Sequence, residues 1–322
     1  MLKLLFIPFL LITFIACEET QNTPQQEEQA ASPAPKATTL LTFDLANQYP
    51  EGIEYLPSNN SIYLGSMSGQ TIARIGEEGN IQPFSQEKDA PLGSVGIEID
   101  EARGRLIACY SDRNNQLEEP MAVVKIFDLE TGELIQNLNL APLIEAENYQ
   151  ANDATVTPDG TIIISDRKGH ALYQINPKYE TRVFYRNQEE LHMPNGLDYH
   201  PNNYLLVAHS KNGPKLCKFP LDRPEEKQEV QIEDARFQGF DGLVLVDEQT
   251  LVGVTTAKEE EGKDALLELT STDNWQTAIV SNYQLVNPST TVALVAPNLF
   301  YVLNQDFKNP QATTVEVEKV EF

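Results

Sequence analysis

The amino-acid sequence predicts an all-β domain, a six-bladed β-propeller with four-stranded blades, and two observations support this prediction. The first is that short apolar runs alternate with Gly, Asn, Asp and Pro turns, without the period of long helices. The second is a repeated unit that opens on Gly, Asp or Thr, runs through a few apolar residues, turns and runs again. The six units open at Gly52, Gly96, Asp153, Gly196, Gly242 and Thr291.

The spacing of these units is that of propeller blades. Successive units open about 43 to 57 residues apart, and a four-stranded blade takes about 40 to 50 residues. The longest interval contains residues 137–150, which we interpret as an insertion with one short helical turn. Within the first unit, residues 52–55, 62–65, 71–75 and 81–84 are predicted strands, separated by turn sequences that suit hairpins.

Two terminal segments are predicted to close the ring of blades. Residues 39–45 and 314–322 both alternate apolar and polar residues, which is typical of strands. A propeller leaves no unpaired sheet edge when one blade takes strands from both ends of the chain. We therefore expect these two segments to pair, and we expect the propeller domain to span residues 39–322.

The residues before this domain are predicted to export and anchor the protein. Residues 1–17 combine one lysine, an apolar run and a small residue before Cys17, which resembles a bacterial lipoprotein signal peptide with Cys17 as the lipidated residue. An ordinary signal peptide that contains a cysteine is the alternative. Residues 18–38 contain no aromatic residue and are predicted to be a disordered linker. We expect a lipid anchor in the outer membrane of the bacterial cell envelope, with periplasmic and surface-exposed orientations both open.

The composition of the chain limits its partners. A formal net charge of −25 argues against a nucleic-acid partner, and a solvated acidic surface is the simplest meaning of that charge. Hydrophobic residues make up 41% of the chain, which is typical of a globular protein, and we expect a monomer. Besides Cys17 the sequence holds only Cys109 and Cys217, both in strand-like runs, so we expect buried thiols rather than a disulfide framework.

A ring of polar residues is predicted at the centre of the propeller. The residues directly before the six unit openings should face the central channel at one height, and they are Glu51, Val95, Asn152, Asn195, Asp241 and Thr290. Two carboxylates about 4 Å apart repel by about 4 kcal/mol at an effective dielectric of about 20, unless a proton or cation lies between them. Two carboxylates and two amides, without His or Cys, suit a hard divalent ion, and a loose cage favours calcium. The alternative is that these side chains only cap strand entries with hydrogen bonds.

Four short motifs at this ring resemble those of one known family. The motifs are Tyr-Pro-Glu-Gly at residues 49–52, Asn-Asp with a following Pro-Asp-Gly turn at 152–160, Pro-Asn-Gly-Leu at 194–197 and Phe-Asp-Gly-Leu at 240–243. They resemble the calcium-dependent six-bladed propellers that include gluconolactonase and regucalcin (senescence marker protein). The resemblance implies that Glu51, Asn195 and Asp241 bind calcium directly, and that Asn152 is a further ligand or a substrate contact.

The sequence departs from this family at two places. Gln150 stands where the regucalcin branch has an arginine that contacts substrate, so Gln150 becomes the candidate contact there. Residues 93–96 replace the histidine-rich motif of the paraoxonase branch, so the resemblance implies no histidine dyad. His192 lies three residues before Asn195 and is a second candidate substrate contact, at the mouth of the channel.

These residues predict a calcium-dependent hydrolase of a small lactone or ester. The ion would polarise the carbonyl and activate a bound water, and a neighbouring carboxylate would accept the proton. Asp153 is the first candidate for this general base, and Asp241 could do that work while it remains a ligand. Asp153 could instead only orient Asn152. The rival hypothesis is a non-enzymatic, lipid-anchored propeller that binds a glycan, a peptide or an envelope protein and holds calcium for structural reasons. The fold alone does not choose between these two hypotheses.

Overall fold

The structure, a computed structural model, describes residues 36–44, 49–68, 72–85, 92–112, 117–210, 214–232, 237–257, 262–305 and 314–322. These residues form twenty-four β-strands and four short 3₁₀ turns. The predicted signal peptide, Cys17 and residues 18–35 of the predicted linker lie outside the described residues. In the part of the chain that the structure describes, no helix is long and apolar enough to span a membrane.

The first half of the chain forms a terminal strand, β1 (Lys36–Asp44), and three four-stranded antiparallel sheets. The first two sheets are β2 (Ile53–Leu56), β3 (Ser61–Leu64), β4 (Ala73–Ile75) and β5 (Ile81–Pro83), then β6 (Gly93–Asp100), β7 (Arg105–Ser111), β8 (Ala122–Asp128) and β9 (Leu134–Asn139). The third sheet is β10 (Ala151–Val156), β11 (Ile162–Asp166), β12 (Ala171–Ile175) and β13 (Thr181–Arg186). Strands pair in chain order within each sheet, as expected for successive hairpins.

The second half of the chain forms an eight-stranded sheet and a last four-stranded sheet. The larger sheet contains β14 (Pro194–His200), β15 (Tyr204–Ser210), β16 (Pro214–Pro220), β17 (Gln228–Ile232), β18 (Phe237–Leu245), β19 (Thr250–Ala257), β20 (Asp264–Thr270) and β21 (Thr277–Val286). The last sheet joins β1 to β22 (Ser289–Ala296), β23 (Leu299–Asn304) and β24 (Thr314–Glu321). The four 3₁₀ turns are Pro57–Asn59, Glu101–Arg103, Ala141–Leu143 and Pro224–Glu226.

The eight-stranded sheet differs from the separate blades that the sequence predicts. Strands β14 to β17 and β18 to β21 each form an antiparallel meander, as predicted. The two outermost strands then pair in parallel, Gln231 with Thr277 and Ile232 with Ala278, which satisfies edge groups that would otherwise face solvent. The all-β, propeller-like arrangement is therefore confirmed, and two of the six predicted units share one sheet.

The two ends of the chain pair as predicted. Strand β1 runs antiparallel to β24, from Lys36 opposite Glu321 to Asp44 opposite Thr314. The strand begins three residues before the predicted boundary at Thr39, because the backbone of residues 36–38 continues the ladder against residues 319–321. The last residues of the predicted linker are thus part of the closing sheet.

The predicted insertion between the second and third units is mostly a loop. Residues 137–139 of this segment belong to strand β9, where they continue the antiparallel ladder with β8. A single 3₁₀ turn, Ala141–Leu143, follows, and the chain then reaches β10 at Ala151. The short helical turn expected in this insertion is present.

The hydrophobic core lies between successive four-stranded units and completes a cycle. Six clusters of buried apolar residues lie between neighbouring units. The innermost strands contact each other in the order β2, β6, β10, β14, β18, β22 and back to β2. Ile53 of β2 and Val317 of β24 belong to the cluster that closes this cycle. Cys109 and Cys217 are both buried free thiols, as predicted.

Close approach of the innermost strands explains why most units open on glycine. A Cβ atom on Gly52 would lie 2.1 Å from the carbonyl oxygen of Val95, and Gly52 has a φ of +82°. A Cβ atom on Gly196 would lie 2.5 Å from the carbonyl oxygen of Asp241. A side chain at either position would push neighbouring units apart, so glycine lets the units meet at the axis.

Candidate metal centre

The residues that precede the six unit openings meet at one place. Together they line a narrow cavity of about 20 Å³ at the axis, and they are Glu51, Val95, Asn152, Asn195, Asp241 and Thr290. Glu51, Asn152, Asn195 and Asp241 also line a wider cavity of about 310 Å³. Gln150, the candidate substrate contact, lines the wider cavity as well. The structure therefore brings together the four residues that the sequence selects as a cation cage.

Local irregularities in the innermost strands place these side chains. The pairing of β10 with β11 skips Asn152, the pairing of β14 with β15 skips Asn195 and Gly196, and the pairing of β18 with β19 skips Asp241 and Gly242. A β-bulge leaves its extra residue outside the ladder and changes the direction of its side chain. The bulges thus explain how residues at the start of three strands can all face the same cavity.

Hydrogen bonds join the amides of the ring to a carboxylate. The side chain of Gln150 donates to Oδ1 of Asn152, with an N–O distance of 3.3 Å. Nδ2 of Asn152 donates to Oδ1 of Asn195, and the Asn195 side chain in turn donates to the carboxylate of Asp241. This chain of three donors fixes the orientation of each group before any ligand binds.

The carboxylate of Asp241 is ionised at neutral pH. Burial raises the pKa of Asp241 to about 6, while the positive charge of Arg167 and the hydrogen bond from Asn195 oppose this rise. A pKa of about 6 lies below neutrality, so most molecules carry the negative charge at pH 7. Asp241 therefore supplies both a charge for a cation and an acceptor for a proton.

Asp153 holds two innermost strands together. Its Oδ2 accepts a hydrogen bond from the backbone N–H of Leu197 at 3.2 Å, and its own N–H donates to Oγ of Ser165 at 3.1 Å. Burial raises the pKa of Asp153 to about 8, so the carboxyl group is mostly protonated at neutral pH. Asp153 lines the narrow cavity but is absent from the lining of the wider one. These contacts place Asp153 as a support for strand β14, which carries Asn195.

A half-buried acidic cluster, which the sequence pattern did not reveal, includes Asp153. Its members are Glu54, Glu98, Asp153 and Asp198, and burial is the largest cause of the raised pKa of all four. Like-charge repulsion within the cluster further raises the pKa of Glu54, Glu98 and Asp153. The sequence does contain a signal for this cluster, because Glu54, Glu98 and Asp198 each stand two residues after a unit opening. These three side chains are only partly exposed, so their charges are poorly solvated.

The donor atoms of the ring fit a hard divalent cation. Two carboxylates and two amide oxygens are the ligand types that calcium prefers, with water completing the shell. Oγ1 of Thr290 lies buried in the same narrow cavity without a hydrogen-bond partner among the described residues, so the ring has a spare oxygen acceptor. No group of three or more His, Cys, Asp or Glu side chains in the described ranges is arranged to hold a metal ion. A cation at the ring would therefore depend on the amides as well as on Glu51 and Asp241.

A larger side cavity opens beside the ring. It has a volume of about 750 Å³ and is lined by residues that include His170, His192 and Lys168. The structure thus places His192 in this side cavity rather than in the cavity of the ring. The rings of His170 and His192 lie 5.1 Å apart, and the N–H of Met193 donates to Nδ1 of His170 at 3.0 Å. His170 and Met193 both have positive φ, a strained backbone that is common at ligand sites.

The cyclic fold and the ring of carboxylates and amides define a propeller with a candidate cation centre at its axis. Residues 49–262 match the family model described as the SMP-30/gluconolactonase/LRE-like region. The chain therefore belongs to the SMP-30/gluconolactonase/LRE-like family. All four residues of the predicted cation cage lie inside the matched segment. A search of curated proteins finds no significant sequence match.

Solved structures with this fold include enzymes of different chemistry. A gluconolactonase from Xanthomonas campestris aligns with a TM-score of 0.61 at 14% identity, over 89% of each chain. A luciferin-regenerating enzyme aligns with a TM-score of 0.62 at 14% identity, over 90% of this chain and 96% of that one. A PQQ-bound aldose sugar dehydrogenase from Streptomyces coelicolor aligns at 0.56 and 11% identity, over 89% of this chain and 98% of that one. At these identities the likeness shows the fold, and the chemistry must be argued from the site.

Proposed function

We propose that the domain is a six-bladed β-propeller and that the protein is a calcium-dependent hydrolase of a small lactone or ester. The observation that carries this proposal is the convergence of Glu51, Asn152, Asn195 and Asp241 on one cavity of about 310 Å³. Membership of the SMP-30/gluconolactonase/LRE-like family supports a lactonase-type function. The closed cycle of contacts between six innermost strands supports six blades, although two blades share a sheet.

The ring residues would hold the ion between them. The carboxylates of Glu51 and Asp241 supply two negative charges, and the amide oxygens of Asn152 and Asn195 supply neutral donors. When bound, a calcium ion supplies Lewis acidity toward a carbonyl oxygen and lowers the pKa of a bound water. The cavity is large enough to hold a small cyclic ester.

Asp241 is our candidate for the general base. Its carboxylate is ionised at pH 7 because its pKa is about 6, and the hydrogen bond from Asn195 holds its orientation. We propose that the Asp241 carboxylate accepts the proton of the attacking water. Asp153 holds strand β14 through the N–H of Leu197 and keeps its own proton at neutral pH, so we assign it a positioning role. Gln150 donates to Asn152 at the wall of the cavity and remains the candidate substrate contact.

We further propose that the protein is anchored in the bacterial outer membrane through a lipid on Cys17, with residues 1–17 as its signal peptide. The apolar run that ends at Ala16-Cys17 supports this proposal. We propose a monomer with no nucleic-acid partner, since the net charge of −25 disfavours association with polyanions.

The test is an assay of the full-length protein in detergent with a panel of lactones and aryl esters. We expect hydrolysis that a chelator abolishes and that added calcium restores. Asp241→Asn should abolish it, while Asp222→Asn, which removes a carboxylate exposed on the outer surface, should not. Activity that survives complete removal of calcium would defeat the proposal. Stabilisation by calcium without turnover of any substrate would instead favour the rival hypothesis of a binding propeller.

A further inference from the structure

Two adjacent basic residues line the cavity of the ring. Arg167 and Lys168 follow strand β11, and both contribute to the wall of the 310 Å³ cavity that contains Glu51 and Asp241. Each of the two side chains is only partly buried, so each can reach a ligand in the cavity. The sequence pattern does not single them out, because a charged pair in a turn is usually a solvated surface feature.

A buried carboxylate builds the turn that carries this basic pair. Asp166 is fully buried, and its oxygens accept hydrogen bonds from the N–H groups of Gln150 and Gly169 at 2.7 and 2.8 Å. The hydroxyl of Tyr173 donates to the same carboxylate at 3.0 Å. The N–H of Arg167 donates to the carbonyl oxygen of Gln150 at 2.9 Å, which ties the turn to the strand that leads to Asn152. The backbone of the turn is therefore fixed before a ligand arrives.

The charges of the basic pair are not neutralised by close partners. Among the described residues, neither the Arg167 guanidinium nor the Lys168 ammonium group makes an ion pair or a side-chain hydrogen bond. Arg167 is near enough to Asp241 to lower its pKa, yet no hydrogen bond joins the two side chains.

A divalent cation at the ring would offset the negative charges of Glu51 and Asp241. The cavity would then carry the positive charges of Arg167 and Lys168. This step rests on the proposed function, in which Glu51 and Asp241 share their charges with a divalent ion. The wall of the cavity then carries two unpaired positive charges in a confined space of about 310 Å³, where electrostatic attraction is stronger than in bulk water. Lys168 also lines the neighbouring 750 Å³ cavity, where Glu145 and Glu147 repel an anion, whereas Arg167 lines the cavity of the ring and not the side cavity.

We propose that Arg167 and Lys168 bind an oxyanion group, a carboxylate or a phosphate, attached to the lactone or ester that the site hydrolyses. The substrate class is thus an anionic lactone or ester rather than a neutral one. The planar guanidinium of Arg167 can donate two parallel hydrogen bonds to such a group, and the ammonium of Lys168 adds a point charge. Arg167 directly follows strand β11 and Gln150 directly precedes strand β10, so Arg167 supplies a cationic group beside Gln150.

The kinetic test compares two lactones of the same ring size that differ only in one substituent, a carboxylate or its carboxamide. The measured quantity is the ratio of kcat/KM for the carboxylate to kcat/KM for the carboxamide. We expect this ratio to fall about tenfold or more in Arg167→Gln and in Lys168→Gln, because a charge-assisted hydrogen bond is lost. The matched control is Lys178→Gln, an exposed lysine in a turn of the same sheet, and it should leave the ratio unchanged. A ratio that neither cavity variant alters, or a native preference for the carboxamide, would overturn the proposal.

A binding measurement separates failure of this inference from failure of the proposed hydrolase. Glutarate and inorganic phosphate are titrated into the calcium-loaded full-length protein by calorimetry. We expect at least one of them to bind, with about tenfold or weaker affinity in Arg167→Gln and native affinity in Lys178→Gln. Calcium affinity should not fall in Arg167→Gln, because that substitution removes a positive charge near Asp241. If no lactone is hydrolysed but this binding pattern holds, the hydrolase proposal fails and the oxyanion site stands. If neither anion binds, or if Arg167→Gln binds as the native protein does, the oxyanion site is wrong.

Discussion

The side chain of Asn152 donates a hydrogen bond to Oδ1 of Asn195, although the two residues lie 43 positions apart and belong to different innermost strands. The amide of Asn195 in turn donates a hydrogen bond to the carboxylate of Asp241. Three neighbouring units thus share one polar network at the axis. A ligand that binds one member changes the environment of the other two.

Replacement of Asn195 should weaken the whole network. Asn195→Ala removes an amide oxygen from the proposed calcium cage and leaves Asn152 and Asp241 without their shared partner. We expect calcium affinity, measured by calorimetry, to fall about tenfold or more. The control is Asn202→Ala, an exposed asparagine in the turn that follows the same strand. Native calcium affinity in Asn195→Ala would show that the ring does not bind calcium in the proposed way.

The two candidate bases should respond differently to replacement. Asp241→Asn removes the ionised carboxylate, so we expect it to abolish turnover. Asp153→Asn keeps an acceptor for the N–H of Leu197 and removes little charge at neutral pH, so it should lower kcat less than Asp241→Asn does. Asp153→Ala leaves that buried N–H without a partner and should lower the free energy of unfolding by about 1 to 3 kcal/mol. If Asp153→Asn abolished turnover but kept native calcium affinity, Asp153 would be the base instead.

The half-buried acidic cluster should make the calcium-free protein less stable as pH rises. The pKa of Asp153 rises from an ordinary 3.8 to about 8, so between these values the folded state holds a proton that the unfolded state has lost. The contribution of Asp153 to the free energy of unfolding is therefore full below about pH 4. It declines as the pH rises and is lost at about pH 8. Glu54, Glu98 and Asp198 are shifted in the same direction and add to the decline.

This pH dependence can be measured by urea denaturation in the presence of a chelator. We expect a lower midpoint at pH 8 than at pH 5.5, and a smaller difference in Glu98→Gln, which carries no titrating group at that place. Glu130→Gln replaces an exposed glutamate and should keep the native difference. A midpoint that stays constant or rises over this range would contradict the raised pKa values of the cluster.

The close approach at the axis should make one glycine irreplaceable. Gly52→Ala places a Cβ atom 2.1 Å from the carbonyl oxygen of Val95 and forces alanine into a positive φ of 82°. We expect the free energy of unfolding to fall by about 2 kcal/mol or more. A Cβ atom on Gly76 would meet no atom within 4 Å, and the φ of Gly76 lies outside the left-handed region, so Gly76→Ala should change stability by less than about 0.5 kcal/mol. Equal stability of the two variants would count against the crowded axis.

The lipid anchor can be tested by cell fractionation. Cys17→Ala should move the protein from the membrane fraction to the soluble fraction or leave it as an unprocessed precursor, because the position that would carry the lipid then has no thiol. Cys109→Ala removes a buried thiol, and this variant should remain in the membrane fraction. A Cys17→Ala protein that is processed and still membrane-bound would require another means of attachment.

The repeated unit alone was enough to locate the ring. Residues at equivalent positions of repeated units lie at equivalent places around the axis, so the residues before the unit openings come to one height. Glu51, Asn152, Asn195 and Asp241 each stand one residue before a unit opening, and all four line one cavity. The all-β, propeller-like arrangement and the pairing of the two chain ends also followed from local patterns.

Contacts between segments far apart in the chain account for what the repeated unit could not reveal. Asp153 keeps its proton mainly because it is buried, and the charges of Asp198 and Asp241 on other strands raise its pKa further. Arg167 and Lys168 reach the cavity because buried Asp166 folds their turn toward Gln150, and strands β17 and β21 pair because two outer edges come together. A local pattern specifies which face of a strand is buried, whereas burial energies and long-range charge interactions depend on which strands become neighbours.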